Sequence, residues 1–245
     1  MKKILCLILL STILFSCSKD EPKLMVNTTS VSLYSGYTHL ITTTNGTNVT
    51  FESQNPYIAI VNETTGEVTA MTIGSTIINV YSDQGNAKVE INVNKKYNTY
   101  TEPCTDFSKT MSQIIAMYGE PDSQTDNGII YVHNKTKHFA DMYFFDNTLE
   151  SSIAIIPQDY AVEAMKFLLE RYLPIGTQDD MYIFANGTSP ETVTMGVSMS
   201  KMSGYTLYQI IYIPYTSSNT RSIKSTISNI KIDTSILEKL SEYKE

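Results

Sequence analysis

Between Lys23 and Val93, seven short runs rich in Val, Ile, Thr and Tyr succeed one another at intervals of about ten residues, separated by Gly, Asn and Ser. They are Val31 to Tyr34, His39 to Thr43, Val49 to Ser53, Ile58 to Asn62, Glu67 to Met71, Thr76 to Ser82 and Ala87 to Val93, and no helical period interrupts them. That spacing is the one an antiparallel sandwich requires. Alternation is plainest in the last run, where Val89, Ile91 and Val93 point one way and Lys88, Glu90 and Asn92 the other. Asn55-Pro56 suits a turn, Gly66 a hairpin and Gly74 a tight bend before a buried strand.

The stretches "SVSLYSG", "VTFESQNPYIAIV", "GEVTAMTIGSTIINV" and "AKVEINV" resemble the group 2 bacterial immunoglobulin-like domain of invasin- and intimin-type surface proteins. Phe51 stands where such domains carry a tryptophan or another large aromatic in the third strand, which keeps that core position apolar. The resemblance implies a stalk or spacer more often than an adhesive tip, and the fold alone implies no function.

Ahead of this segment, Lys2 and Lys3 precede an apolar stretch from Ile4 to Phe15 that is too short to span a bilayer, which takes a helix of roughly 20 residues. It reads as an export signal. Leu14-Phe15-Ser16-Cys17 resembles the bacterial lipoprotein box, which implies acylation of Cys17 and cleavage on its amino side. Ser18-Lys19-Asp20-Glu21 resembles the surface-export signal of Bacteroidota-type lipoproteins, and the alternative is a polar tether facing the periplasm. Acyl chains contribute about 0.8 kcal/mol per buried CH₂, so a multiply acylated cysteine holds a soluble domain on a membrane.

The whole chain carries a formal charge of −7. Loss of residues 1–16 removes Lys2 and Lys3 and no acid, leaving 16 basic residues against 25 acidic ones, a charge of −9. Without a cluster of Lys and Arg to reverse that field, nucleic acid is not an expected partner. Of the three cysteines, Cys6 leaves with the signal and Cys17 is acylated, so no intrachain disulfide forms and Cys104 reads as a small buried hydrophobe.

The strand pattern stops at Asn94-Lys95-Lys96-Tyr97-Asn98-Thr99, a polar break that reads as a domain boundary. Beyond it Ser108 is positioned to cap a helix with Met111, Ile114, Ile115 and Tyr118 on one face, ended by Gly119 and Pro121. Next come runs at Ile129 to His133, Phe139 to Phe145 and Leu149 to Ile156, with Asp146-Asn147 suited to a hairpin. A second helix is expected from a cap at Asp159, with a stripe of Val162, Met165, Leu169 and Tyr172 and a stop at Pro174. Met181 to Ala185, Thr192 to Met199 and Tyr205 to Tyr215 complete the series, with turns at Asn186-Gly187 and Ser203-Gly204.

The expected fold is therefore two domains: an all-β immunoglobulin-like sandwich at 24–94, then an α+β domain at 100–215 with an antiparallel sheet and two helices. Residues 1–16 are the signal, 17–23 a tether, and 216–245 a polar tail with a short helix at 234–244. Helix, three strands, helix, three strands suggests an internal duplication. This layout and "YGEP" resemble the beta-lactamase-inhibitor-like fold of protein-binding envelope lipoproteins.

The chemistry is sparse. His133, His138 and Asp141 form a compact set of ligand types, but without paired helical spacing they read as solvated residues around a hairpin loop, and no metal site is expected. "DSQTDNG", Asp122 to Gly128, lacks the closing glutamate of a calcium loop and reads as a turn. Asp179-Asp180 reads as a solvated turn, not an acid–base pair. The sites at Asn45, Asn48 and Asn62 are no evidence of N-glycans in a bacterial lipoprotein. Phosphate-loop, dinucleotide and nucleophile-elbow motifs are missing, so no catalytic residue and no cofactor are expected. With 17 tyrosines and no tryptophan, the aromatics suit strand faces first and a recognition surface second. The sum is a non-enzymatic lipoprotein anchored in the outer membrane through Cys17, its immunoglobulin-like module spacing an adhesive or recognition domain for a protein or polysaccharide. A periplasm-facing accessory or inhibitor-like protein is the alternative, and a hydrolase with an unrecognised site stands behind both.

Overall fold

The computed structural model describes residues 22–215, and at Asn134 the backbone alone. The expected signal, Cys17 and the tail at 216–245 lie outside the described residues. The first strands are β1 (Met25–Val26), β2 (Ser30–Tyr34), β3 (Thr38–Leu40), β4 (Thr43–Thr44), β5 (Thr50–Ser53), β6 (Ala59–Val61), β7 (Glu67–Ala70), β8 (Gly74–Ser82) and β9 (Gly85–Asn94). One sheet has the order β2-β9-β8-β5 and a second β3-β7-β6, while β1 and β4 form a small ribbon. Their inner faces share one core in which Ile78, Val80, Val89 and Ile91 meet Ala59, Val68 and Ala70. Phe51 is buried in it, as expected of the third-strand aromatic.

One pairing departs from the antiparallel expectation. β2 runs parallel to β9, which is possible because the rest of the module serves as the long connection a parallel pair needs. At Gly66 the backbone takes φ 74°, and a Cβ there would lie 2.6 Å from the Ile41 carbonyl and 2.7 Å from the Phe51 ring. Glycine is required on both counts.

After the module come α1 (Met111–Tyr118), β10 (Ser123–Gln124), β11 (Gly128–Lys135), β12 (His138–Phe145), β13 (Leu149–Pro157), a 3-10 turn at Gln158–Tyr160, α2 (Ala161–Leu169), β14 (Leu173–Gln178), β15 (Met181–Ala185), β16 (Met195–Lys201) and β17 (Leu207–Pro214). All eight of these strands make one antiparallel sheet in the order β10-β11-β12-β13-β17-β16-β15-β14. Each half is a helix with four strands after it, not three, and the last strands of the halves pair at the centre. β10 is too short to announce itself. β14 is disguised by Pro174 and Gly176, which an edge strand tolerates through the register shift found between them.

Both helices lie on the same face of this sheet. Asp141 and Tyr143 on β12 pair with Ala154 and Ser152 on β13, which pair in turn with Ile210 and Tyr212 on β17. α1 buries Ile114 against Ile129, Tyr131 and Tyr143. α2 buries Ala164, Phe167 and Leu168 against Ala154, Ile156, Ile210 and Tyr212. Of the expected stripe, Met165 and Tyr172 pack on this core, but Val162 is 69% and Leu169 41% exposed. The alanines win the inward positions because they let the helix approach the sheet closely, and the larger residues on the other flank stay wet. The opposite sheet face is apolar as well, with Ile130, Met142, Ile153, Ile155, Ile211 and Ile213 buried.

The caps also shift. Thr110, not Ser108, caps α1 in a reciprocal pair with Gln113, while Ser108 binds the Asp106 carboxylate. Asp159 lies inside the 3-10 turn, and α2 begins after Tyr160 with no side-chain cap.

Candidate functional site

His133, His138 and Asp141 are not a solvated loop set. Alternation from Tyr131 turns His133 toward the helix face of the sheet, and His138 opens β12 opposite Lys135, where the β11–β12 register slips. Asp141, paired with Tyr131, sits between the two rings. Its Oδ2 accepts from His133 Nε2 and its Oδ1 from His138 Nε2, each at 2.8 Å. His138 is 1% and Asp141 7% exposed, while the His133 side chain retains 24%. The ring centroids lie 4.4 Å apart, and Tyr100 meets His138 edge-on at 5.6 Å. With Nε2 donating to Asp141, Nδ1 of His138 is a buried nitrogen without a hydrogen-bond partner. Beside the cluster, Lys137 donates to both carboxylate oxygens of Glu163 on α2, at 2.8 and 2.9 Å.

A second network starts at Tyr100. Its hydroxyl lies 2.5 Å from that of Tyr212, and Tyr212 and Tyr172 both donate to Glu102 Oε1, at 3.3 and 2.5 Å. Burial above all, and then the Glu102 charge, raise the Tyr100 and Tyr172 hydroxyls well above the usual phenol range. Tyr212 is raised by burial first, then by Tyr100 and Glu102. These groups are neutral donors at any physiological pH. Arg171 lies 3.6 Å from Glu102, stacks on the Phe167 ring at 3.5 Å, and pairs with Glu170.

Glu170 then joins the sheet to the module. It is 2% exposed, and its carboxylate accepts from the backbone N–H groups of Lys96 at 2.8 Å and Tyr97 at 3.1 Å. Ile73 N–H donates to the Glu170 carbonyl at 2.7 Å, and the Tyr57 hydroxyl donates to the Arg171 carbonyl. The polar break expected to be a plain boundary is thus pinned from the far side. Around it lies a groove of about 210 Å³ lined by Tyr34, Tyr37, Tyr97, Lys96, Lys166 and Glu170. Lys96 Nζ sits 5.7 to 5.9 Å from the centroids of all three tyrosines. Sequence reasoning misses this groove, and the only local hint is the pair of tyrosines in "YSGY".

The other candidates fall as structural residues. Cys104 is buried against Ile114 and Tyr143 in the α1 cluster, as expected. Asp179 and Asp180, both exposed, take φ 46° and 62° and form the two-residue turn between β14 and β15. In "DSQTDNG" Asp122 accepts from Val132 N–H at 2.8 Å, Ser123 and Gln124 pair as β10 with β11, and Thr125 N–H donates to the Gly128 carbonyl at 2.8 Å to close the turn between them. Among the described residues no helix is long and apolar enough to cross a membrane.

The family model of the bacterial Ig-like domain (group 2) matches residues 26–93, so the first part of the chain is a bacterial Ig-like domain. No curated protein matches the sequence. Two solved structures of the surface layer protein SbsC align with it. The one of domains 4–9 does so at 16% identity over 81% of this chain and 27% of that one, with a TM-score of 0.28. The one of domains 5–6 does so at 16% identity over 81% of this chain and 86% of that one, with a TM-score of 0.25. The chain thus spans 27% of the length of the first. Likeness at that level bears on neither fold nor function.

Proposed function

We propose that this is a non-enzymatic lipoprotein of the bacterial outer membrane, anchored through Cys17 and facing outward, in which the Ig-like domain spaces a C-terminal α+β recognition domain from the membrane. The observation that carries the reading is the Ig-like domain at residues 26–93, set directly behind a lipoprotein-like N-terminus and in front of a larger sheet. The Glu170 clamp supports it, because a spacer transmits position only if its far end is held. A protein or polysaccharide is the expected ligand class. The anchor is tested by labelling cells with an alkynyl palmitate. Labelled protein is expected from wild type and none from Cys17→Ser, and equal labelling of both would refute the anchor.

A second reading draws on "YGEP" and the repeated helix-and-strand order, the features of the sequence that resemble beta-lactamase-inhibitor-like envelope lipoproteins. It makes the C-terminal domain a periplasm-facing protein binder. Crosslinking in living cells separates the two, since only periplasmic partners would be recovered in the second case.

A further inference from the structure

His133, His138 and Asp141 bring two imidazoles and one carboxylate together, with one donor atom of each within 4.8 Å of the others. The set is incomplete as it stands. The Asp141 carboxylate, in a residue 7% exposed, touches both rings and is paired with no lysine or arginine among the described residues, and the adjacent Lys137 is spent on Glu163. Such a charge is costly unless something positive joins it. Nδ1 of His138 is also buried and unpartnered. Ligand atoms on one tetrahedral ion with bonds of about 2.1 Å lie about 3.4 Å apart, so the rings, now 2.8 Å from the two Asp141 oxygens, need to draw back by only about half an ångström to admit an ion.

We propose that His133, His138 and Asp141 bind a divalent transition cation of the Zn²⁺ class. Two ring nitrogens and one carboxylate oxygen suit Zn²⁺, whereas Mg²⁺ and Ca²⁺ favour all-oxygen sets. On binding, each Nε2 turns its lone pair to the ion, and each ring proton moves to Nδ1, which in His138 no other donor occupies. Three protein ligands leave a fourth position for water or a group from a partner, reached past the partly exposed His133. The site stands apart from the recognition reading, which survives if it fails.

The test is a Zn²⁺ titration of the purified, untagged full chain by calorimetry, with thermal melts in Zn²⁺ and in EDTA. One ion per chain is expected, with Tm raised by roughly 5–10 °C at about a hundredfold excess over Kd. His133→Gln keeps a donor for Asp141 but is a poor ligand, so it is expected to stay folded by circular dichroism and lose both effects. His133→Ala is expected to do the same. Absence of stoichiometric uptake by wild type, or equal uptake by folded His133→Gln and His133→Ala, overturns the proposal. So does a cluster whose stability answers to pH and not to Zn²⁺.

Discussion

At the scale of single residues, Glu170 holds the joint. Its carboxylate satisfies two backbone amides and a guanidinium while 2% exposed, so Glu170→Ala orphans two donors and leaves Arg171 short of a partner. Breaking a buried pair from one side costs about 3–5 kcal/mol, and chemical denaturation is expected to show a loss of that order. Nothing in "LLERYLP" announces this role, because the amides it binds are 74 and 73 residues away in the chain. The histidine cluster escapes sequence reading for a related reason: the spacing offers no helical pair, and only strand pairing sets Asp141 between the rings. The buried tyrosines make a separate pH prediction. In the unfolded chain a tyrosine ionises near 10, while Tyr100, Tyr172 and Tyr212 keep their protons in the fold to higher pH. Above about 10 the unfolded state therefore binds fewer protons than the native state, and stability falls by about 1.4 kcal/mol per pH unit for each such tyrosine. Denaturation midpoints at pH 9 and 11 check this, and a midpoint no lower at pH 11 would contradict it.

At the scale of elements, two glycines with similar φ separate backbone strain from crowding. Gly36, φ 83°, has open space where a Cβ would go, whereas at Gly66 the Cβ would run into Phe51 and Ile41. Gly36→Ala is expected to cost about 1 kcal/mol from the left-handed backbone alone, and Gly66→Ala about 3 kcal/mol with the clash added. Thermal melts of the two variants rank them directly. Thr110→Ala, which removes the cap of α1, is expected to cost about 1 kcal/mol, and Ser108→Ala much less. Strands with one wet face are legible in the sequence, since alternation at Val89, Ile91 and Val93 survives intact. Edge strands and helix faces are less so. β14 hides behind Pro174 and Gly176, and in α2 the hydrophobic period fits two adjacent stripes, which only packing of Ala161 and Ala164 on the sheet decides.

At the scale of the whole molecule, the Ig-like domain and the sheet meet through backbone as well as side-chain hydrogen bonds, from Ile73 and Lys96 to Glu170 and from Tyr57 to Arg171. A spacer joined in this way holds the C-terminal sheet along a fixed direction, which is the physical sense of the proposed role. The Ig-like domain is readable from the chain because it rests on local pattern. The joint, the aromatic groove and the histidine cluster are not, since each draws its residues from distant segments. The central claim is that the sheet beyond the spacer faces the medium, and proteolysis of intact cells, with immunoblotting by antibodies to residues 100–215, tests it most directly. Digestion in intact cells alongside an untouched periplasmic control is the expected result, and full protection until the outer membrane is permeabilised would contradict it.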